Sequence, residues 1–193
     1  HDAELTPRQV DELGETDLAV YLSDFQPAVD DAVSTVAADS ALDVGEFADL
    51  VVAEDDGHDH SGETEEEHAE HSHDGGTDPH FWLDPTRYAA VAEAVAERLV
   101  ELDPDGASTY EAGLADFTDE LTVLDEEFAA GLQTCTSHDL VTGHAAFGYL
   151  ADRYDLRQQG IAGLTPESEP TAAQISDLVE HVRETGVTTV YAE

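Results

Sequence analysis

Apolar positions along the chain follow two rhythms, short continuous runs and stripes of helical period. Leu18-Ala19-Val20-Tyr21-Leu22 is a continuous apolar run and predicts a buried strand. It lies between two predicted helices. The first opens at Thr6-Pro7-Arg8-Gln9, where a Thr cap, a proline at the first helical position and a glutamine three residues after the cap form a capping box. That helix is expected to end near Glu15. The second runs from Phe25 to Ala37 with Pro27 in its first turn. The last third repeats the rhythm. Strands are expected at Leu140-Val141-Thr142, at 157–163 and at Val187–Tyr191. Helices are expected from His144 to Tyr154, entered through Gly143, and from Thr171 to Glu184, stopped by Gly186. Helices alternating with short strands predict an α/β fold with mostly parallel sheets.

Two stretches depart from this alternation. Asp84 and Pro85 predict the cap and first residue of a helix that runs to Leu102, where Asp103-Pro104 ends it. Directly after, Tyr110, Leu114, Phe117, Leu121, Leu124, Phe128 and Leu132 recur every three or four residues, one apolar stripe on one helix. From Pro104 to Leu132 that helix is roughly 40 Å long, enough to join two lobes. The expected organisation is an N-terminal α/β lobe over residues 1–103, a bridging helix over 104–132 and a C-terminal α/β lobe over 133–193. The last lobe stops directly after a strand and reads as truncated. Within the first lobe, residues 54–78 hold eleven acids, five histidines and four glycines, with Ala69 the one apolar residue. No core forms from such a segment, so a loop is expected.

Charge changes the list of partners. Forty-six acids against six basic residues, all of them Arg, give a net charge of −40. Such a surface repels phosphates and anionic lipid, which excludes nucleic acid and anionic membrane surfaces. The bland source of this charge is a host living in concentrated salt, where screening shortens the reach of self-repulsion. We therefore expect a halophilic protein, and the charge alone does not mark a metal site. The single cysteine, Cys135, excludes an internal disulfide and a multi-cysteine zinc module, and is expected to be a buried small residue. The chain has no methionine, so it is not expected to begin at a translation start, and it has no apolar run long enough to span a bilayer.

Three histidines fall at strand ends or before helices: His1, His80 and His144. In α/β lobes, ligands collect outside the carboxyl ends of the strands. Neutral imidazole is a common ligand for Zn²⁺, and three of them with one oxygen make a tetrahedral set. Spacing alone places any three histidines this way, so scattered surface histidines remain an open reading. His138 and His181 are expected to be ordinary surface residues. Trp82 is expected in the core.

The local sequences are more specific. His1-Asp2-Ala3-Glu4-Leu5-Thr6-Pro7, His80-Phe81-Trp82-Leu83-Asp84-Pro85 and Gly143-His144-Ala145-Ala146-Phe147-Gly148-Tyr149-Leu150 occur in this order. With the acidic, His-rich loop before His80, Glu167–Thr171 and the terminal Tyr191-Ala192-Glu193, they resemble the zinc- and manganese-binding solute receptors of metal ABC importers. The high-affinity zinc-uptake branch is the nearest likeness, and it covers essentially the whole chain. The resemblance implies two α/β lobes joined by one long helix, with a metal cleft between them and no catalysis. It implies ligands at His1, His80 and His144. A histidine at position 144 favours Zn²⁺ over Mn²⁺, the alternative cargo, since manganese-type members tend to carry a carboxylate there. The fourth ligand is left open among water, an aspartate beyond the chain and a nearby acid such as Glu4. His58, His60, His68, His71 and His73 are read as a solvated tether or as a weak capture arm for metal. The implied partners are the metal ion and the membrane permease of an importer. The implied place is the outer face of the membrane or the periplasm, for a monomer anchored by lipid through a segment outside this chain. Other readings are a metal-binding surface adhesin on the same fold and a zinc hydrolase. Against the hydrolase, the chain has no H-E-x-x-H motif, nucleophile elbow or phosphate-binding glycine loop.

Overall fold

The computed structural model describes residues 4–52, 77–164 and 170–192. His1, the five histidines between 58 and 73, and residues 165–169 lie outside the described residues.

The N-terminal part opens with helix α1 (Pro7–Gly14), and both halves of the Thr6–Gln9 capping box are formed. Strand β1 (Ala19–Tyr21) pairs in parallel with β2 (Ala41–Asp43). The crossover between them is α2 (Pro27–Ala32), which continues into a π-helical turn at Val33–Ala37. That turn buries Val33 and Ala37. The apolar run at 18–22 is thus a short strand, buried at Ala19 and open on the other face at Val20.

Helix α3 (Pro85–Leu102) starts where the sequence places it. The Asp84 carboxylate accepts from the Thr86 N–H at 2.8 Å and satisfies an otherwise orphaned donor. A tight turn at Pro104–Gly106 leads into α4 (Ala107–Leu132), which packs along α3. Helix α4 has 26 residues, and its rise gives it a length of about 39 Å. Its stripe divides in two. Leu121 is buried and Phe117 meets Tyr88 of α3 edge-on at 5.3 Å. Farther along, Leu124 and Phe128 are partly open, and Phe128 stacks on Tyr154 at 5.4 Å.

The C-terminal part is a three-stranded parallel sheet, β4 (Arg157–Gly160), β3 (Asp139–Thr142) and β5 (Val190–Tyr191), with β3 in the centre. Val141 and Thr142 are fully buried there. Helix α5 (Gly148–Arg153) connects β3 to β4, and α6 (Ala172–Thr185) precedes β5. Thr171 and Gln174 complete a capping box on α6, and Gly186 closes it with a left-handed backbone at φ 70°. The two parallel sheets establish the α/β class expected from the pattern. Some expectations need correction. Residues 143–147 form a turn, and the helix expected from His144 begins only at Gly148. Strands β4 and β5 are shorter than the segments 157–163 and Val187–Tyr191 expected to form them. Cys135 is exposed, because it follows the end of α4 on the surface. No helix among the described residues is long and apolar enough to cross a membrane.

The core does not respect chain order. Tyr149 of α5 is buried among Val44, Ala48, Phe81 and Val91, all from the N-terminal half. Arg153, at the end of the same helix, reaches Asp125 of α4 at 2.6 Å and the cap residue Asp84 at 3.5 Å. Hydrogen bonds from Arg153 hold the Asp125 carboxyl below its usual range, against a burial effect that raises it. Burial, with the Asp125 hydrogen bond, pushes the neighbouring Tyr154 phenol up to about 12. A carboxyl depressed in the folded state contributes stability above its unfolded-state pKa, and that stability is lost as pH falls through the folded-state value. Asp125→Asn is therefore expected to cost about 1 kcal/mol at neutral pH, the upper end for a partly exposed pair. The gap to the unmodified protein should close below about pH 4. Denaturant titrations at several pH values measure this, and a gap independent of pH would contradict it.

Candidate metal centre

His80 and His144 are brought together. They are 64 positions apart in sequence, yet their ring centres lie 5.4 Å apart with planes inclined at 59°. Two imidazoles on one tetrahedral zinc, each bound at about 2.1 Å, put their ring centres roughly 5 Å apart. The observed ring spacing is compatible with that value.

Each histidine is held by its own surroundings. His80 precedes a single 3-10 turn at Phe81–Leu83 and is 5% exposed. Its backbone N–H donates to Asp78 Oδ1 at 3.0 Å, and its ring Nδ1 lies 2.7 Å from the same oxygen. Asp78 is itself buried. A carboxylate only accepts, so in the neutral imidazole His80 Nδ1 carries the proton and Nε2 presents its lone pair. This is the carboxylate–histidine arrangement that orients metal ligands and raises their basicity. The other Asp78 oxygen faces Gly148, where a Cβ would come within 3.1 Å of it.

His144 lies in the turn after β3, at the carboxyl edge of the sheet. Its carbonyl accepts from the buried Thr142 hydroxyl at 2.6 Å and from Gln158 Nε2 at 3.2 Å. Gln158 also donates to Thr142 Oγ1 at 2.9 Å. Backbone bonds from Ala145 to Gly163 and from Ala162 to Gly143 tie the turn to the segment after β4. The approach is so close that a Cβ at Gly160 would lie 2.6 Å from the Ala162 carbonyl.

Trp82 corrects an expectation. It is 41% exposed and its ring packs against His80 at 5.3 Å, so it flanks the histidine pair and is not core. His138 and His181 lie at the opposite end of β3, beside Asp155 and Asp139 respectively, and neither joins the pair. Among the described residues, no set of three His, Cys, Asp or Glu side chains is gathered for a metal. The structure thus places two of the three histidines named from the sequence, and the third, His1, lies outside the described residues. Sequence reasoning missed Asp78. An acid two positions before a motif histidine, across a proline, was the available signal.

Comparison with known proteins decides the family. The model for the periplasmic component A of zinc-uptake complexes matches residues 1–193. The chain belongs to this zinc-uptake family. Among its relatives, the chain is 30% identical over 200 residues to the zinc-binding protein AdcA of Streptococcus pyogenes. It is 31% identical over 200 residues to the high-affinity zinc uptake system protein ZnuA of Bacillus subtilis. Both matches take in all of this chain, but 39% of the AdcA sequence and 60% of the ZnuA sequence. The chain therefore spans less than two thirds of the length of either relative. The crystal structure of AdcAII from Streptococcus pneumoniae superposes with a TM-score of 0.79 at 27% identity, over 100% of this chain and 67% of that one. The α/β architecture of this zinc-uptake family member is thus that of a solved structure.

The arrangement makes a statement about protons that is independent of any metal. In long-range proton–nitrogen spectra of the metal-free protein at alkaline pH, His80 Nε2 should be the unprotonated, pyridine-type nitrogen. A protonated Nε2 and bare Nδ1 would contradict the Asp78 contact.

Proposed function

We propose that this chain is the metal-capturing part of an extracytoplasmic solute receptor that takes up Zn²⁺ and hands it to the permease of an ABC importer. The observation that carries the reading is the His80–His144 pair, spaced for one tetrahedral ion and backed by Asp78. Membership of the zinc-uptake family supports it. We assign the ligands as His80 through Nε2, His144 and His1. Nitrogen ligation at three positions favours zinc over manganese, which prefers carboxylate and water oxygens. The fourth position is left to water or a carboxylate.

In this reading the two α/β halves are lobes, residues 1–103 and 133–193, with α4 as the spine and the ion in the cleft between them. The receptor acts as a monomer on the outer face of the membrane or in the periplasm, held by an anchor outside this chain. The acid excess is an adaptation to concentrated salt, and the histidines of residues 58–73 serve as a capture arm. The family match lends no support to a zinc hydrolase.

Mechanism follows from coordination chemistry. With the neutral imidazole, the zinc cargo would replace no proton on His80 Nε2, since the Asp78 contact places the proton on Nδ1. Binding therefore costs little reorganisation at this ligand. Calorimetry on the intact protein should show one zinc per chain, and His80→Ala or His144→Ala should weaken binding by at least a hundredfold. Unchanged tight binding in either variant would refute the assignment.

A further inference from the structure

A closed ring of three hydrogen bonds lies next to His80. The Asp78 N–H donates to the Val51 carbonyl at 2.9 Å, and the Val51 N–H donates to the Tyr149 hydroxyl at 2.9 Å. The Tyr149 hydroxyl then donates to the Asp78 carbonyl at 2.8 Å. Tyr149 contributes the one side chain in this ring, and it comes from α5, five residues after His144. The two other members are backbone groups of the N-terminal half. Asp78 has both its backbone amide and its carbonyl committed here, so its side chain leaves from a fixed origin. That side chain is the one that orients the His80 ring.

The ring of Tyr149 is equally constrained. It is 4% exposed, and the Arg87 guanidinium lies 4.9 Å from its centre. Arg87 in turn donates to the carbonyls of Ala48 and Asp49. Burial raises the Tyr149 phenol above its ordinary value, so the hydroxyl keeps the proton it donates.

We propose that the Tyr149 hydroxyl is a positioning group for zinc capture, setting the Asp78 backbone and, through the Asp78 carboxylate, the face that His80 turns toward the ion. The inference rests on the assignment of His80 and His144 as ligands and adds to it. One short helix then couples both ligands: it follows the turn that carries His144 and supplies the hydroxyl that aligns His80.

The test is a double-variant cycle on zinc affinity, read by competition calorimetry on the intact protein with Tyr149→Phe, Asp78→Asn, both together, and His80→Ala as reference. Phenylalanine keeps the buried ring, and near-ultraviolet circular dichroism checks that packing is retained. Tyr149→Phe is expected to weaken zinc binding about tenfold and Asp78→Asn about ten- to a hundredfold, the range for groups that orient metal ligands. Because the hydroxyl acts through Asp78, the double variant should be no weaker than Asp78→Asn alone, within about twofold. A merely structural hydroxyl would leave the His80 ring nitrogen signals of the metal-free protein unchanged. A positioning hydroxyl shifts them in Tyr149→Phe. Unchanged affinity in Tyr149→Phe, or losses that multiply in the double variant, would overturn the proposal. If His80→Ala binds zinc normally, the ligand assignment itself falls. If His80→Ala fails to bind while Tyr149→Phe is normal, only the role of Tyr149 falls.

Discussion

Between Asp78 and His80 a buried carboxylate, 2.7 Å from a ring nitrogen, decides which nitrogen of the neutral imidazole keeps its proton. Imidazole has two candidate donor atoms, and a metal receptor needs one of them offered at a fixed angle. The carboxylate makes that choice before any ion arrives. Desolvation of Asp78 is tolerated because its oxygen accepts two hydrogen bonds, from the backbone and from the ring. Left without them, a buried carboxylate would be costly, so the pair is self-enforcing.

The rest of the fold serves this contact by crossing the chain's halves. Helix α5 delivers Tyr149 into the N-terminal core and Arg153 to Asp84 and Asp125. Two residues of this junction lie close to the histidines in sequence, Asp84 four positions after His80 and Tyr149 five after His144. A chain with six basic residues spends two of them, Arg87 and Arg153, on this junction. With −40 of net charge, each guanidinium placed inside an acidic surface offsets local repulsion as well as making its own pair.

Local signals carried the fold well. The capping boxes at Thr6 and Thr171, the Asp84 cap with Pro85 and the left-handed stop at Gly186 depend on residues within one turn of each other. They were legible for that reason. Burial of single residues was not. Trp82 and Cys135 have apolar character, and only tertiary placement puts one beside His80 and the other on the surface. The expected start of α5 differs because the turn at 143–147 is held by Gln158 and Gly163 as well as by the adjacent Thr142, and local sequence connects neither of the first two to it. His80 and His144 came from motif resemblance. Periodicity does not reach across 64 residues; the Asp78 carboxylate carries no pattern signal although it acts on His80 two positions on, and the Tyr149 hydroxyl works on backbone groups distant in sequence.

The central claim is that His80 and His144 share one zinc ion, with His80 bound through Nε2. X-ray absorption at the zinc edge, on the loaded protein and on His144→Ala, tests it most directly. The account predicts several imidazole nitrogens at about 2.0–2.1 Å, with one fewer in the variant. A shell of oxygens alone, or a spectrum that His144→Ala leaves unchanged, would contradict it.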